Sequence, residues 1–214
     1  GGTVRIDGRR VDRLPDHTVA RYVARVFQDP MAGTAAHMTI EENLSLAMGR
    51  GTTRGLGQGV TRAKREFLRT QLKVLEQGLE RLASLDLGLE DRLSSKVGLL
   101  SGGQRQALSL VMATFGDPKV LLLDEHTAAL DPQRAELITN LTRELVAEKG
   151  LTTLMVTHNM EQALRLGNRL IMMHEGRIIF ELSGQDKAGA GVEDLMAEFD
   201  RIKGAQLSDR TLLT

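Results

Sequence analysis

The sequence predicts an α/β protein with a mainly parallel sheet and an inserted α-helical part. Short apolar segments at 120–123, 151–156 and 168–173 are separated by amphipathic stretches with helical spacing. Strands that alternate with helices indicate βαβ units, whose strands pair in parallel. Upstream of these strands, helical periodicity dominates residues 36–117. This stretch predicts the helical insertion.

Short elements are expected before the insertion. An alternating segment at 3–6 ends in Asp7-Gly8, a pair typical of hairpin turns, and 11–14 is the expected returning strand. The β-branched and apolar residues at 21–27 predict a further strand, which ends at Gln28.

Helical patterns follow within the insertion. Thr39 is the expected N-cap of a helix over 40–48, because its hydroxyl can accept a hydrogen bond from the first turn. Apolar residues recur at helical spacing over 61–82 and predict a long second helix. A third helix is expected over 103–115 and is closed by Gly116-Asp117-Pro118.

The elements after the insertion alternate between strand and helix. Pro132 is predicted at the first position of a long helix. Proline is tolerated there because the backbone N–H at this position has no partner within the helix. Residues 160–166 predict a second helix. Glu175-Gly176 is the turn into a strand at 177–182, and the tail contains one amphipathic helix over about 192–202.

Composition excludes several functional classes. Lysine plus arginine total 28, as do aspartate plus glutamate, so the chain lacks the basic excess of nucleic-acid binders and we expect no nucleic-acid partner. It contains no cysteine, which excludes disulfides and thiolate metal sites. No apolar run approaches the roughly 20 residues that a membrane-spanning helix needs.

The most specific pattern is Leu100-Ser101-Gly102-Gly103-Gln104, which we name the signature segment. Its glycines let backbone N–H groups approach an anion, and the helix that follows adds the partial positive charge of its N-terminus. The Ser101 hydroxyl can donate a hydrogen bond to a phosphate oxygen. A simpler interpretation is a serine N-cap followed by flexible glycines, and the two are compatible.

A second pattern ends an apolar strand with two carboxylates, Asp124 and Glu125. Asp124 is a candidate Mg²⁺ ligand, since Mg²⁺ prefers hard oxygen ligands and retains several waters. Glu125 is a candidate to orient and deprotonate an attacking water. Alone the pattern is unspecific, because any buried strand can end in acidic residues.

With Gln28 upstream and His158 downstream, these patterns resemble the nucleotide-binding subunit of ABC transporters over essentially the whole chain. The resemblance implies a P-loop NTPase-like core with an inserted α-helical signature subdomain, together forming an ATPase domain over 1–185. The implied segments are a core at 1–35 and 118–185, a helical subdomain at 36–117 and a helical tail at 186–214.

The resemblance also implies roles at a site for ATP and Mg²⁺. Asp124 would hold the metal, Glu125 would be the catalytic base, and His158 would contact the γ-phosphate as the switch histidine. Gln28, within Val-Phe-Gln-Asp-Pro, looks like the glutamine of the Q-loop, which reaches the metal and the attacking water. Asp131 resembles the D-loop residue that crosses between subunits, and it is also an ordinary helix N-cap.

Partners are implied by the same resemblance. Such subunits form head-to-tail dimers, as a homodimer or with a paired ATPase subunit, and residues 101–104 of one subunit complete the ATP site of the other. An integral membrane permease is the further expected partner. The implied location is cytoplasmic, peripheral on the inner face of the cell membrane. Segments 27–34 and 124–131 are similar to those of ATPases from bacterial tryptophan/tyrosine-type uptake systems.

The sequence departs from the family pattern at its start. It has no Gly-x-x-x-x-Gly-Lys-Ser/Thr segment, the Walker A loop whose backbone and lysine hold the phosphates. We therefore expect that the N-terminal Walker A part is missing and that this chain alone is inactive as an ATPase. His126 stands where the family commonly has proline.

Two alternative functions stay open at the level of sequence. A soluble, non-transport ABC ATPase of repair or translation would usually carry tandem cassettes or a long coiled-coil insertion, and neither is visible. A non-catalytic subunit that only dimerises is disfavoured by the joint presence of Asp124, Glu125 and His158.

Overall fold

The computed structural model describes residues 2–50, 76, 80, 82–83 and 87–211, with side chains up to residue 201. The chain forms two compact units, Gly1–Val156 and Thr157–Thr214. The predicted division into a sheet core, a helical subdomain and a tail stays a prediction.

The first unit begins with an antiparallel hairpin of β1 (Arg5–Ile6) and β2 (Arg9–Arg10). Asp7 and Gly8 both have positive φ, 48° and 76°, which two-residue hairpin turns require. The returning strand predicted at 11–14 is therefore wrong in position, because a two-residue turn places Arg9 directly opposite Ile6. A short helix, α1 (Asp16–Val19), follows the hairpin.

A three-stranded parallel sheet is the centre of the first unit. It consists of β3 (Val23–Val26), β4 (Val120–Asp124) and β5 (Thr152–Val156), in the order β3-β4-β5. Val26 lies opposite Leu123 in the register of β3 and β4. The parallel pairing confirms the predicted α/β class, and it brings the carboxyl ends of all three strands to one edge.

Alternation of side chains gives the sheet two different faces. Ala24, Val26, Leu121 and Leu123 are buried, whereas Arg25, Leu154 and Val156 are exposed. The core of this unit is built from aliphatic side chains of its strands and helices. The fully buried ones include Val26, Ile40, Leu44, Leu89, Leu108, Leu110, Leu121, Ile138 and Leu145.

Helices cap this core. They are α2 (Ile40–Met48), α3 (Gly102–Ala113) and α4 (Pro132–Lys149), and 3₁₀ turns lie at Glu90–Arg92 and Val97–Leu99. Helix α3 contacts α2, α4 and β3, so it is the central helix of the unit. The helix predicted at 61–82 lies outside the described residues, apart from Glu76, Glu80 and Leu82, which are helical.

The second unit contains α5 (Met160–Arg165) and an antiparallel hairpin of β6 (Arg169–His174) and β7 (Arg177–Ser183). Glu175 and Gly176 form the turn, as predicted, and both have positive φ. Two helices follow, α6 (Gly184–Gly189) and α7 (Val192–Thr211). Among the described residues, no helix is long and apolar enough to cross a membrane.

Helix α6 was not predicted from the sequence, which indicates only a glycine-rich stretch there. Its Lys187 is buried and donates hydrogen bonds to the carbonyls of Leu164, Leu166 (2.8 Å) and Gly167 (3.1 Å). The ammonium therefore satisfies carbonyls at the end of α5 that would otherwise lack donors. This tertiary contact holds α6 where local sequence gives no helix signal.

Candidate functional site

The two carboxylates leave the sheet at the end of its middle strand. Asp124 is the last residue of β4 and pairs with Val156 of β5. Glu125 follows at once, and its N–H still donates to the Val156 carbonyl at 2.9 Å. The side chain of Asp124 is 40% exposed, so its oxygens can reach a ligand from solvent.

Glu125 has a left-handed backbone. Its φ of 42° lies in the region where a side chain costs conformational energy, about 1–3 kcal/mol. Such strain persists only where the surrounding structure fixes it, here through the hydrogen bond to Val156. This conformation ends β4 at Asp124, so Glu125 no longer continues the strand.

Gln28 lies on the neighbouring strand at the same edge. It is exposed and follows the last residue of β3 by two positions. The carbonyl of Phe27 accepts a hydrogen bond from Gln106 Nε2 of α3 at 3.4 Å, and Asp29 Oδ1 accepts one from the Met31 N–H at 2.8 Å. Both contacts turn the chain away from the sheet beside Gln28.

The signature segment forms the N-terminus of α3, as predicted. Ser101 is the N-cap, and it exchanges hydrogen bonds with Gln104: the serine Oγ accepts from the Gln104 N–H at 3.3 Å, and Gln104 Oε1 accepts from the Ser101 N–H at 3.0 Å. Gln104 also donates to the Leu87 carbonyl at 2.9 Å. The hydroxyl proton of Ser101 is not used in this box and can be donated to an outside acceptor.

The two glycines of the signature segment have different surroundings. A Cβ on Gly103 would lie 2.8 Å from Arg134 Cδ, so this glycine permits the close approach of α4. Gly102 is exposed, and its nearest neighbour would be Leu130 Cδ2 at 3.9 Å. Gly103 thus has a packing role, whereas Gly102 leaves the helix N-terminus open.

Asp131 is brought close to the signature segment by this packing. It is the N-cap of α4, accepts a hydrogen bond from the Arg134 N–H at 3.1 Å and forms an ion pair with Arg134 Nη1 at 3.5 Å. Because Gly103 packs on Arg134, the N-termini of α3 and α4 lie side by side. The structure therefore brings together two of the predicted nucleotide-contacting elements.

His126 is a buried structural residue. Its ring Nε2 forms a hydrogen bond of 3.1 Å with Thr142 Oγ1, and the side chain is 2% exposed. Burial lowers the pKa of His126 to about 4, since the charged imidazolium is disfavoured away from water. The ring is therefore neutral at pH 7.

His158 belongs to the second unit and is exposed. It stands between two fixed neighbours. Thr157 donates to Gln162 Oε1 at 2.9 Å, and Asn159 is the N-cap of α5, accepting from the Gln162 N–H at 2.9 Å. These bonds hold the backbone on both sides of the histidine.

Two residues at this edge were missed by the sequence analysis. Arg25 Nη2 donates to Asp124 Oδ2 at 2.6 Å, and Gln106 is buried against Phe27. Alternation along β3 could have placed Arg25 on one face, but its contact with Asp124 depends on the register of two strands. Local sequence carries no signal for that register.

The residues at this edge fit a magnesium ion that nucleotide helps to hold. Within the described ranges no group of three or more acidic or histidine side chains could enclose a metal. Mg²⁺ at nucleotide sites is usually bound through one or two protein oxygens, with waters and phosphates completing the octahedron. The exposed Asp124 carboxylate and a Gln28 amide oxygen would supply such a partial set.

The chain is similar to known proteins in both sequence and structure. The sequence profile of the ABC transporter family matches residues 1–128. The tyrosine transport ATP-binding protein of Clostridioides difficile (strain R20291) is 43% identical over 199 residues, covering 93% of this chain and 75% of that protein. The chain belongs to the ABC transporter family, as an ATP-binding subunit. Its ATPase class and P-loop NTPase fold confirm the expectations from sequence.

Further relatives of this ABC subunit extend the comparison. The phosphate import ATP-binding protein PstB of Aeropyrum pernix is 35% identical over 178 residues, covering 83% of this chain and 65% of that protein. Among solved structures, the dimeric post-hydrolysis state of the ATP-binding cassette MJ0796 with ADP and Pi matches with a TM-score of 0.65 and 28% identity. The match covers 86% of this chain and 73% of that one.

Proposed function

We propose that this ABC subunit powers uptake of a small solute, with Asp124, Glu125 and Gln28 at the hydrolytic centre. The observation that carries the proposal is the carboxyl edge of the parallel sheet. Asp124 and Glu125 end its middle strand, and Gln28 follows the neighbouring strand. Ligands of open α/β sheets bind outside this edge.

Each side chain has a distinct task in the proposed reaction. Glu125 accepts a proton from the attacking water, and the Gln28 amide orients that water. Asp124 holds Mg²⁺, which when bound neutralises charge on the phosphates. For His158 we propose the role that the resemblance implies, a hydrogen bond to the γ-phosphate.

The proposed active unit is a head-to-tail dimer. The Ser101 hydroxyl and the N-terminus of α3, which is open at Gly102, would contact the γ-phosphate of a nucleotide held by the partner subunit. Gln104 fixes Ser101 through the capping box, and Asp131 lies beside it on α4. The dimeric MJ0796 relative supports this arrangement.

The names of the relatives support uptake over repair or translation. They include tyrosine transport, phosphate import and thiamine import ATP-binding proteins. We infer an integral membrane permease as the further partner and a location on the cytoplasmic face of the membrane. The 43% identity to the tyrosine transport protein favours an aromatic amino acid as the solute.

Glu125→Gln tests the proposed base. The experiment uses the subunit with a Walker A region preceding this sequence, so that both halves of the site are present. Removing the base leaves phosphate contacts intact, so the variant should bind MgATP, lose turnover by at least about 100-fold and elute as a dimer in size-exclusion chromatography.

The control is Glu144→Gln, which removes an exposed carboxylate from α4 without touching the sheet edge. It should hydrolyse ATP at the parent rate and show the parent's mixture of monomer and dimer. A Glu125→Gln protein that stays monomeric with turnover intact would exclude Glu125 as the base.

A further inference from the structure

Arg25 lies directly on the proposed metal ligand. Its guanidinium Nη2 donates to Asp124 Oδ2 at 2.6 Å, and its Cζ lies 4.6 Å from the centre of the Phe27 ring. Strands β3 and β4 pair in parallel with Arg25 opposite Leu122. Arg25 and Asp124 therefore project from the same face of the sheet, at the edge where nucleotide is proposed to bind.

We propose that Arg25 competes with Mg²⁺ for the Asp124 carboxylate. The oxygen that accepts the guanidinium cannot also face a divalent cation, because the two positive charges would repel at such short range. While the pair is formed the arginine neutralises Asp124, and it has to move aside when the metal binds Oδ2. This inference rests on the proposed role of Asp124.

The competition is weak enough to be reversible. The side chains of Arg25 and Asp124 are 50% and 40% exposed, and ion pairs in such positions contribute little free energy. In this same paired position the guanidinium also lies over the Phe27 ring, and the cation–π contact helps to hold it beside the carboxylate. Arg25 would thus adjust metal affinity by about two- to fivefold, the size expected of an exposed pair.

Arg9→Met is a matched control for Arg25→Met, because Arg9 also stacks on an aromatic ring. Arg9 lies over the Tyr22 ring, with its Cζ 5.5 Å from the centroid, and its Nη1 donates to the Tyr22 hydroxyl at 2.6 Å. Arg9→Met changes net charge and removes a cation–π contact as Arg25→Met does. It leaves the Arg25–Asp124 pair in place.

The test is an equilibrium titration with Mn²⁺ of this sequence preceded by a Walker A region, loaded with ADP and freed of excess nucleotide, because the proposed metal needs phosphate oxygens as well as Asp124. Free Mn²⁺ is followed through its electron paramagnetic resonance. Arg25→Met should tighten Mn²⁺ binding by about two- to fivefold, whereas Arg9→Met should leave the Kd unchanged. Asp124→Asn should weaken binding by at least about tenfold. In the Asp124→Asn background, Arg25→Met should have no further effect.

Three results would contradict the inference, and they separate its parts. If Asp124→Asn weakens Mn²⁺ binding but Arg25→Met does not tighten it, the competition is absent while the role of Asp124 stands. Tightening that persists in the Asp124→Asn background would be a general charge effect. Unchanged binding in Asp124→Asn would refute the proposed role of Asp124 itself.

Discussion

At the scale of single residues, the two residues directly after Asp124 are held in unusual ways. Glu125 has a left-handed backbone, and His126 is buried in its neutral form with one hydrogen bond to Thr142. Neither feature is needed to end an ordinary strand. Both fix the chain at the position where the proposed base leaves the sheet, which is where strained residues tend to persist.

His126 gives the protein a stability that depends on pH. Its pKa is about 4 when folded and near 6.5 when unfolded, so between these values the unfolded chain binds the extra proton. This contribution is fully present above pH 6.5 and is lost as pH falls toward 4. We expect His126→Gln, which retains a hydrogen-bonding group for Thr142, to flatten the profile by up to about 1.4 kcal/mol per pH unit.

Urea unfolding at several pH values between 4 and 7 measures this slope. His158→Gln is the control, since it replaces an exposed histidine of the second unit. The same slope in the parent and in His126→Gln would show that His126 does not hold its low pKa in the folded protein.

At the scale of elements, local signals predicted those that local hydrogen bonds define. The helix predicted over 40–48 is confirmed because Thr39 and Glu42 form a complete capping box at its start. Helix α6 escaped prediction because the hydrogen bonds that hold it come from Lys187 to the distant end of α5. Sequence reasoning therefore works where an element carries its own cap, and it fails where a tertiary contact replaces the cap.

The N-termini of α3 and α4 make a prediction about packing. Gly103→Ala would place a Cβ 2.8 Å from Arg134 Cδ, so the two helix starts must separate or the arginine must move. The side chain of Arg134 is 52% exposed and can move, so the cost lies at the low end of the about 1–3 kcal/mol typical of overpacking. This cost roughly cancels the about 1 kcal/mol that alanine gains over glycine in a helix. We expect Gly103→Ala to leave the free energy of unfolding nearly unchanged.

Gly102→Ala is the matched control, because its Cβ would meet only Leu130 Cδ2 at 3.9 Å. This neighbouring substitution should be stabilising by up to about 1 kcal/mol. Chemical denaturation of both variants decides the comparison. Equal stabilities would mean that the close approach of α4 does not constrain the signature segment.

At the scale of the whole molecule, the contacts that build the candidate site join residues far apart in sequence. Arg25 and Asp124 are 99 positions apart, and Gln106 reaches Phe27 over 79 positions. Asp124 could be named as a candidate from its motif, whereas Arg25 and Gln106 could not. The contact between Arg25 and Asp124 depends on the order and register of β3 and β4, which no local pattern encodes.

Long-range contacts also link the segment after Gln28 to the 3₁₀ turn at Val97–Leu99, directly before the signature segment. The Gly98 N–H donates to the Ala36 carbonyl at 2.8 Å, and the Val97 N–H donates to the Met38 carbonyl at 3.0 Å. Asn43 holds the same segment by accepting from the Ala35 N–H at 2.8 Å and donating to its carbonyl at 3.1 Å. A partner bound near these residues would therefore act on both halves of the ATPase site.

We predict that the membrane permease docks on residues 29–46. Ala35 is half-buried and bonded to Asn43, whereas Met31 and Leu46 are 41% and 43% exposed and present apolar side chains to a partner. Leu46→Glu should reduce transport by reconstituted transporter at least about tenfold, because a charge would be buried without a partner at the interface. Basal ATP hydrolysis by the soluble subunit, carrying the Walker A region, should remain near the parent rate.

Val4→Glu is the control, since Val4 is equally apolar and 55% exposed but lies on the N-terminal hairpin. It should leave both transport and hydrolysis unchanged.

Crosslinking gives an independent measurement, and the absence of cysteine from this sequence means that only introduced cysteines react. Cysteines at Met31 or Leu46 should crosslink to the permease. If they fail while cysteines on the exposed side of α7, such as Met196→Cys, succeed, the permease contacts the second unit and the coupling through Ala36 and Gly98 does not operate.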